Sequence, residues 1–140
     1  MHEEVVRFGV SMETDLLQRF DERIARQHYP TRSEAIRDLI RRGLVEEEWA
    51  AGAQDVIGTV TLVYDHHVRN LTQRLNEFQH RHAGEVIMSS HVHLDRHNCL
   101  EVVVVRGPAQ RVRDLADHLR AVRGVKHATL SATTTGAGLP

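Results

Sequence analysis

Apolar and polar residues alternate along Val5-Val6-Arg7-Phe8-Gly9-Val10-Ser11-Met12, with Val6, Phe8, Val10 and Met12 on one face and Arg7, Gly9 and Ser11 on the other. That period of two predicts a strand. The period then lengthens. Leu16, Leu17, Phe20 and Ile24 recur at helical spacing and predict a helix, which His28-Tyr29-Pro30 breaks. Thr31-Arg32-Ser33-Glu34 has the form of a capping box and predicts a second helix. Its buried face would be Ile36, Leu39, Ile40 and Leu44, with Glu46-Glu47-Glu48 at a solvated end. Beyond a break at residues 51–54, the pattern predicts a strand over 57–64 and a helix carried by Val68, Leu71, Leu75 and Phe78 to about Arg81. A hairpin of strands 86–94 and 100–105 follows around Asp95–Asn98. A helix opening at Gly107-Pro108, a strand over 125–132 and a loose tail complete the chain.

A single strand followed by two helices leaves its own backbone unpaired, and no second strand lies in the first fifty residues. The natural partner is the same strand of another chain, giving a two-stranded antiparallel ribbon over four helices in an obligate dimer. Such a ribbon fits the DNA major groove with Arg7, Gly9 and Ser11 facing outward. Arg7 could grip guanine with two hydrogen bonds, Ser11 could bond several base edges, and Gly9 would permit close approach. Free amides at the start of the second helix, beside Arg32 and Ser33, would hold a phosphate, and Arg37 one turn on would add charge. Pattern alone equally allows residues 5–12 to be an edge strand of the domain that follows. The second half reads βαββαβ, a ferredoxin-like, ACT-like sandwich. The expected class is therefore α+β, with domains at 1–50 and 51–140. The strand bearing His91 and His93 would lie at a sheet edge.

Composition narrows the picture. A chain of 140 residues, 41% hydrophobic, can hold one ordinary domain or two small ones. Apolar runs such as Val102–Val105 are far too short to cross a bilayer, so no membrane association is expected. Met1-His2-Glu3-Glu4 lacks the layout of a signal peptide, which points to the cytoplasm. The net charge is −1, and residues 1–44 carry eight arginines against eight acids, so any DNA contact must come from a local patch.

The chemistry concentrates in His91-Val92-His93 and Cys99, the single cysteine, with His80 upstream. Alternate strand residues share a face about 7 Å apart, so both imidazoles can turn toward one ion. The turn Leu94–Asn98 can fold Cys99 back beside them. Imidazole and thiolate donors suit a late transition metal rather than calcium or magnesium. His80 would sit at a helix end, and His91 at the far end of the next strand, roughly 16–20 Å away along its rise. One side chain does not span that gap, so a metal bridging two chains is expected, with His80 from the second. Four protein ligands leave no open position for substrate water, which argues against an enzyme. His66, His67 and His97 are read as solvated, as are His82, His118 and His127. Glu34 and Asp38, four apart on one helix face, are either solvated or hold a hard cation.

Two segments together carry a family resemblance. Arg32-Ser33-Glu34-Ala35-Ile36-Arg37-Asp38 looks like the second helix of a ribbon-helix-helix DNA-binding domain. Gln79-His80 with His91-Val92-His93-Leu94-Asp95-Arg96-His97-Asn98-Cys99-Leu100-Glu101 closely resembles the NikR family of nickel-responsive transcriptional regulators. The resemblance spans roughly Val5 to Ser131. It implies a homotetramer, a dimer of dimers, in which His80, His91, His93 and Cys99 hold one Ni(II) per subunit in a planar site. It implies double-stranded DNA with a palindromic operator as partner, and repression of nickel uptake genes as function. It also implies that Glu34 and Asp38 match a site for a hard monovalent or divalent cation at the domain interface. Gly9 stands where some relatives carry a polar side chain, so operator preference does not transfer. A copper or zinc sensor, and a metal storage or delivery protein, are the alternatives the same ligands allow.

Overall fold

The structure is a computed structural model, and it describes residues 3–140. In chain order its elements are α1 (Thr14–Arg26), α2 (Arg32–Ala51), β1 (Asp55–Asp65), α3 (Leu71–Arg81), β2 (Val86–His93), β3 (Asn98–Pro108), α4 (Ala109–Ala121) and β4 (Val125–Thr133). Two compact units emerge, Met1–Ile40 and Arg41–Pro140, and the break between them falls inside α2. The reason is Trp49, which belongs to the core of the second unit.

In the first unit, residues 3–13 form neither helix nor ladder. The expected strand is absent from the isolated chain because a ladder needs a second strand to accept it. Its apolar face stands open: Val6 is 76% and Phe8 72% exposed. Leu39 and Ile40 are exposed as well, and only Ala35 of the early α2 residues is fully buried. The helix starts where the capping residues place it, with the Glu34 amide donating to Thr31 Oγ1 at 3.1 Å. The Glu34 carboxylate pairs with Arg37 and does not reach back, so half of the capping box forms. Arg32 donates through Nε and Nη2 to the two Asp21 carboxylate oxygens at 2.9 and 2.8 Å, fastening α2 to α1.

The second unit is a four-stranded antiparallel sheet in the order β2-β3-β1-β4. This is the split βαβ arrangement, with β2 at an edge as expected. Its core gathers Val56, Val60 and Leu62 of β1, Val103 and Val105 of β3, Leu71, Leu75 and Phe78 of α3, and Val112, Leu115 and Leu119 of α4. At Gly58 an added Cβ would lie 2.7 Å from both Leu130 Cδ1 and Val112 Cγ1 and 3.6 Å from Trp49, so any larger residue must push those side chains aside. Trp49 donates its indole N–H to the Thr133 carbonyl at 2.8 Å, beneath the Arg113 guanidinium. That anchorage carries α2 past Glu46–Glu48 to Ala51. β3 also runs through Gly107 and Pro108, where a helix start was expected, because both residues pair with β1.

Candidate functional site

Residues directly opposite on antiparallel strands point to the same face, and the register here settles which side chains meet. β2 pairs with β3 through His93↔Cys99 and His91↔Glu101, and β3 with β1 through Cys99↔Tyr64. His66 follows Tyr64 by two residues, and its amide continues the ladder by donating to the His97 carbonyl at 2.9 Å. Tyr64, His66, His91, His93, Cys99 and Glu101 therefore share one face and line one cavity of about 270 Å³.

The hairpin turn is preorganised. Asp95 Oδ1 accepts the His97 and Asn98 amides, both at 2.8 Å, and Oδ2 accepts Asn98 Nδ2 at 2.9 Å. These bonds hold the Asp95 carboxyl well below the usual carboxylate range. Leu94 N–H donates to the Asn98 carbonyl at 2.8 Å and closes the turn. As a result Cys99 Sγ stands 3.1 Å from His93 Nδ1 and 3.5 Å from His66 Nδ1. The thiol is 1% exposed. Burial first, then the charges of Asp65, Asp95 and Glu101, push its pKa up. Any metal ion taken up here would have to displace that thiol proton.

Of the expected ligands, His93 and Cys99 are in contact, and the His91 ring lies 5.9 Å from that of His93. His80 sits exposed in the last turn of α3 and is not one of the residues lining this cavity. The preceding Gln79 donates to Glu101 Oε1 at 3.0 Å, which ties the end of α3 to the strand of Cys99. Histidine 66, read from sequence as solvated, is half-buried beside the thiol. His66, His93 and Cys99 each offer a ligand atom within 4.8 Å of the others, a donor set that fits a late transition metal. The signal that would have found it is parity: His66 shares the phase of Tyr64, Leu62 and Val60 along β1.

The expected DNA-facing residues Arg7, Gly9, Ser11, Arg32, Ser33 and Arg37 are all exposed in the first unit. Arg7, Gly9 and Ser11 lie in the unpaired segment, while Arg32 and Arg37 are engaged by Asp21 and Glu34. Asp38 accepts a hydrogen bond from the Tyr29 hydroxyl, so both carboxylates of the expected cation pair already have protein partners.

Residues 57–133 match the family model described as the NikR C terminal nickel binding domain, and residues 6–47 match ribbon-helix-helix protein, copG family. A protein of Geobacter sp. (strain M21) is 57% identical over 136 residues, covering 97% of this chain and 98% of its own length. One of Geobacter sulfurreducens is 58% identical over 133 residues, covering 95% and 96%. Both carry the provisional name of nickel-responsive regulator. Among solved structures, an uncharacterized protein from Thermotoga maritima matches 56% of this chain and 98% of its own, with TM-score 0.50 at 12% identity, a likeness of fold alone.

Proposed function

Because the chain belongs to the NikR family of nickel-responsive regulators, we propose that it is a DNA-binding repressor of nickel uptake genes whose grip on its operator follows Ni(II). His91, His93 and Cys99 of one subunit, with His80 of the partner subunit, would hold one ion per chain. The observation that carries this reading is the 3.1 Å contact of Cys99 Sγ with His93 Nδ1 on the edge strand, beside His91. An ion held by these imidazole and thiolate donors would supply a link between the chains.

Two open surfaces support assembly. The bare apolar face of residues 5–12, with exposed Leu39 and Ile40, fits pairing with a second copy into a ribbon over four helices. On edge strand β2, Ile87, Met88 and Val92 are each more than half exposed, which fits a further contact between dimers. The dimer of dimers would present Arg7, Gly9 and Ser11 to each half of a palindromic operator in the cytoplasm. Phosphates would lie against the first turn of α2 near Arg32, Ser33 and Arg37. Any hard cation at Glu34 and Asp38 would have to displace Arg37 and Tyr29.

The test is a titration of a palindromic promoter fragment with and without stoichiometric nickel, in parent and Cys99→Ala. The parent should bind more tightly with nickel, by about 5–150-fold for a coupling of 1–3 kcal/mol. Cys99→Ala should lose both the nickel–thiolate absorption and the gain. A rise in DNA affinity with nickel in Cys99→Ala equal to the parent's would refute the coupling.

A further inference from the structure

One of the cations expected to meet DNA is already answered from within the chain. Arg32, the first residue of α2, donates Nε and Nη2 to the two carboxylate oxygens of Asp21 on α1 at 2.9 and 2.8 Å. Both side chains stay open to solvent, 57% and 41% exposed. Hydrogen bonding first, and the opposite charge with it, lowers the Asp21 pKa and raises that of Arg32, so each holds the other ionised. A guanidinium carries five N–H donors in a planar fork. The clasp takes the side edge, Nε–H and one Nη2–H, and leaves the end edge, with one N–H on each Nη, as a second two-pronged donor. We propose that Asp21 is the resident counter-ion of a phosphate-binding Arg32. It aims the free end of the guanidinium at a backbone phosphate and cancels its charge, which keeps attraction to DNA of any sequence weak. The inference rests on the reading of the first unit as a DNA-binding domain.

The reason lies in how a duplex attracts protein. Each phosphate that a protein neutralises releases counterions, and log K then falls with log salt by about 0.9 per phosphate. That attraction is blind to sequence, because a phosphate contact positions the protein without identifying a base. An unpaired Arg32 would add it on every duplex alike. Arg32 with Asp21 beside it adds no net charge and still offers directed N–H bonds. The first unit is balanced in the same way as a whole, with eight arginines against eight acids in residues 1–44. Preference for one site over the excess of others then falls to the base-facing residues, Arg7, Gly9 and Ser11. Asp21 thereby becomes a specificity-determining residue that touches no base. A clasp that merely joined α2 to α1 would leave the salt dependence of DNA binding where it is; a counter-ion sets it.

The experiment measures binding of the full-length protein to a random-sequence duplex over a series of salt concentrations. Asp21→Asn removes the charge and keeps one oxygen for Arg32, so the clasp is half retained and the first unit keeps its fold; Asp21→Ala removes both. Each variant should bind the random duplex more tightly than the parent. The slope of log K against log salt should steepen by about 0.9 for each Asp21 replaced in the bound assembly, which at 0.15 M salt is about fivefold per site. Adding Arg32→Gln to Asp21→Asn should abolish that gain. An unchanged slope in both Asp21 variants overturns the proposal, as does a gain that persists undiminished beside Arg32→Gln. A parent that retains neither the random duplex nor a palindromic promoter fragment, with nickel or without, would bring down the DNA-binding reading and this inference with it.

Discussion

Removing the Gln79 side chain tests how the end of α3 is held beside the site. Glu101 is 4% exposed, its Oε1 accepts a hydrogen bond from Gln79 at 3.0 Å, and the Tyr64 hydroxyl lies beside its carboxylate. Water cannot readily replace Gln79 at so enclosed an atom. Gln79→Ala leaves a buried carboxylate oxygen without its donor and should cost about 1–3 kcal/mol. For a unit of about this size, 2 kcal/mol corresponds to a Tm lower by about 8–16 °C. Replacing both partners by apolar groups removes the desolvated carboxyl group as well as its donor. Gln79→Ala/Glu101→Leu should thus recover most of the loss, leaving a coupling of about 1–2 kcal/mol between the positions. The assay is urea unfolding of the metal-free protein, parent against both singles and the double. Gln79→Ala within about 0.5 kcal/mol of the parent would show that water takes the place of the lost donor, and the reasoning would fail. On the proposed reading the stake is functional, because Gln79 precedes His80 and its bond would set where that imidazole begins its reach.

Three further expectations concern other parts of the chain. Gly58→Ala forces a methyl group against Leu130 and Val112 and should cost about 1–3 kcal/mol in urea unfolding; an unshifted midpoint would contradict the packing. Thr31→Ala removes the cap on the Glu34 amide and should cost about 1 kcal/mol of stability in the first unit, read by thermal melting. Tyr64 is pushed up to about 12 by burial first and then by the Glu101 charge, so its phenolate absorbance should appear only near that pH, and earlier in Glu101→Gln. The folded state holds that proton better than the unfolded chain, so the stabilisation is complete below the ordinary value of 10.0 and disappears as pH climbs through about 12.

The periodic elements were legible because their cause is local. β1 alternates in burial along its whole length, and the buried stripe of α4, Val112, Leu115 and Leu119, is visible in the spacing alone. His91, His93 and Cys99 were legible for the same reason, since one hairpin brings them together. His66 was not, because its place depends on which strand lies beside β3 and in which register, a contact across more than thirty residues of chain. Phase held the clue: Glu101 shares its parity with Cys99, Val103 and Val105, so a charged side chain had to face the core there. Trp49 followed the same course. It follows Glu46–Glu48, which read as the solvated end of the helix, yet Gly58 and the Thr133 carbonyl, both distant in sequence, make the room and the hydrogen bond that bury it. The strand at 5–12 is the converse case. Its pattern is clear, but the partner that would turn it into a ladder is absent from a single chain.

On the proposed reading, these unfinished features act together in the energetics. A site completed by His80 of the partner subunit binds the assembled protein and not the separated chains. Nickel at 100 times its dissociation constant would then favour assembly by about 2.7 kcal/mol for each site filled. By the same linkage, anything that holds the chains together raises nickel affinity, including an operator spanned by two ribbon dimers. Exposed β2 and the bare apolar face of residues 5–12 would provide contacts of their own in such an assembly, so assembly would not have to wait for metal. What the metal adds is bias: it favours whichever arrangement of the subunits lets His80 reach. DNA affinity rises only as far as that arrangement is also the one in which both half-sites are met.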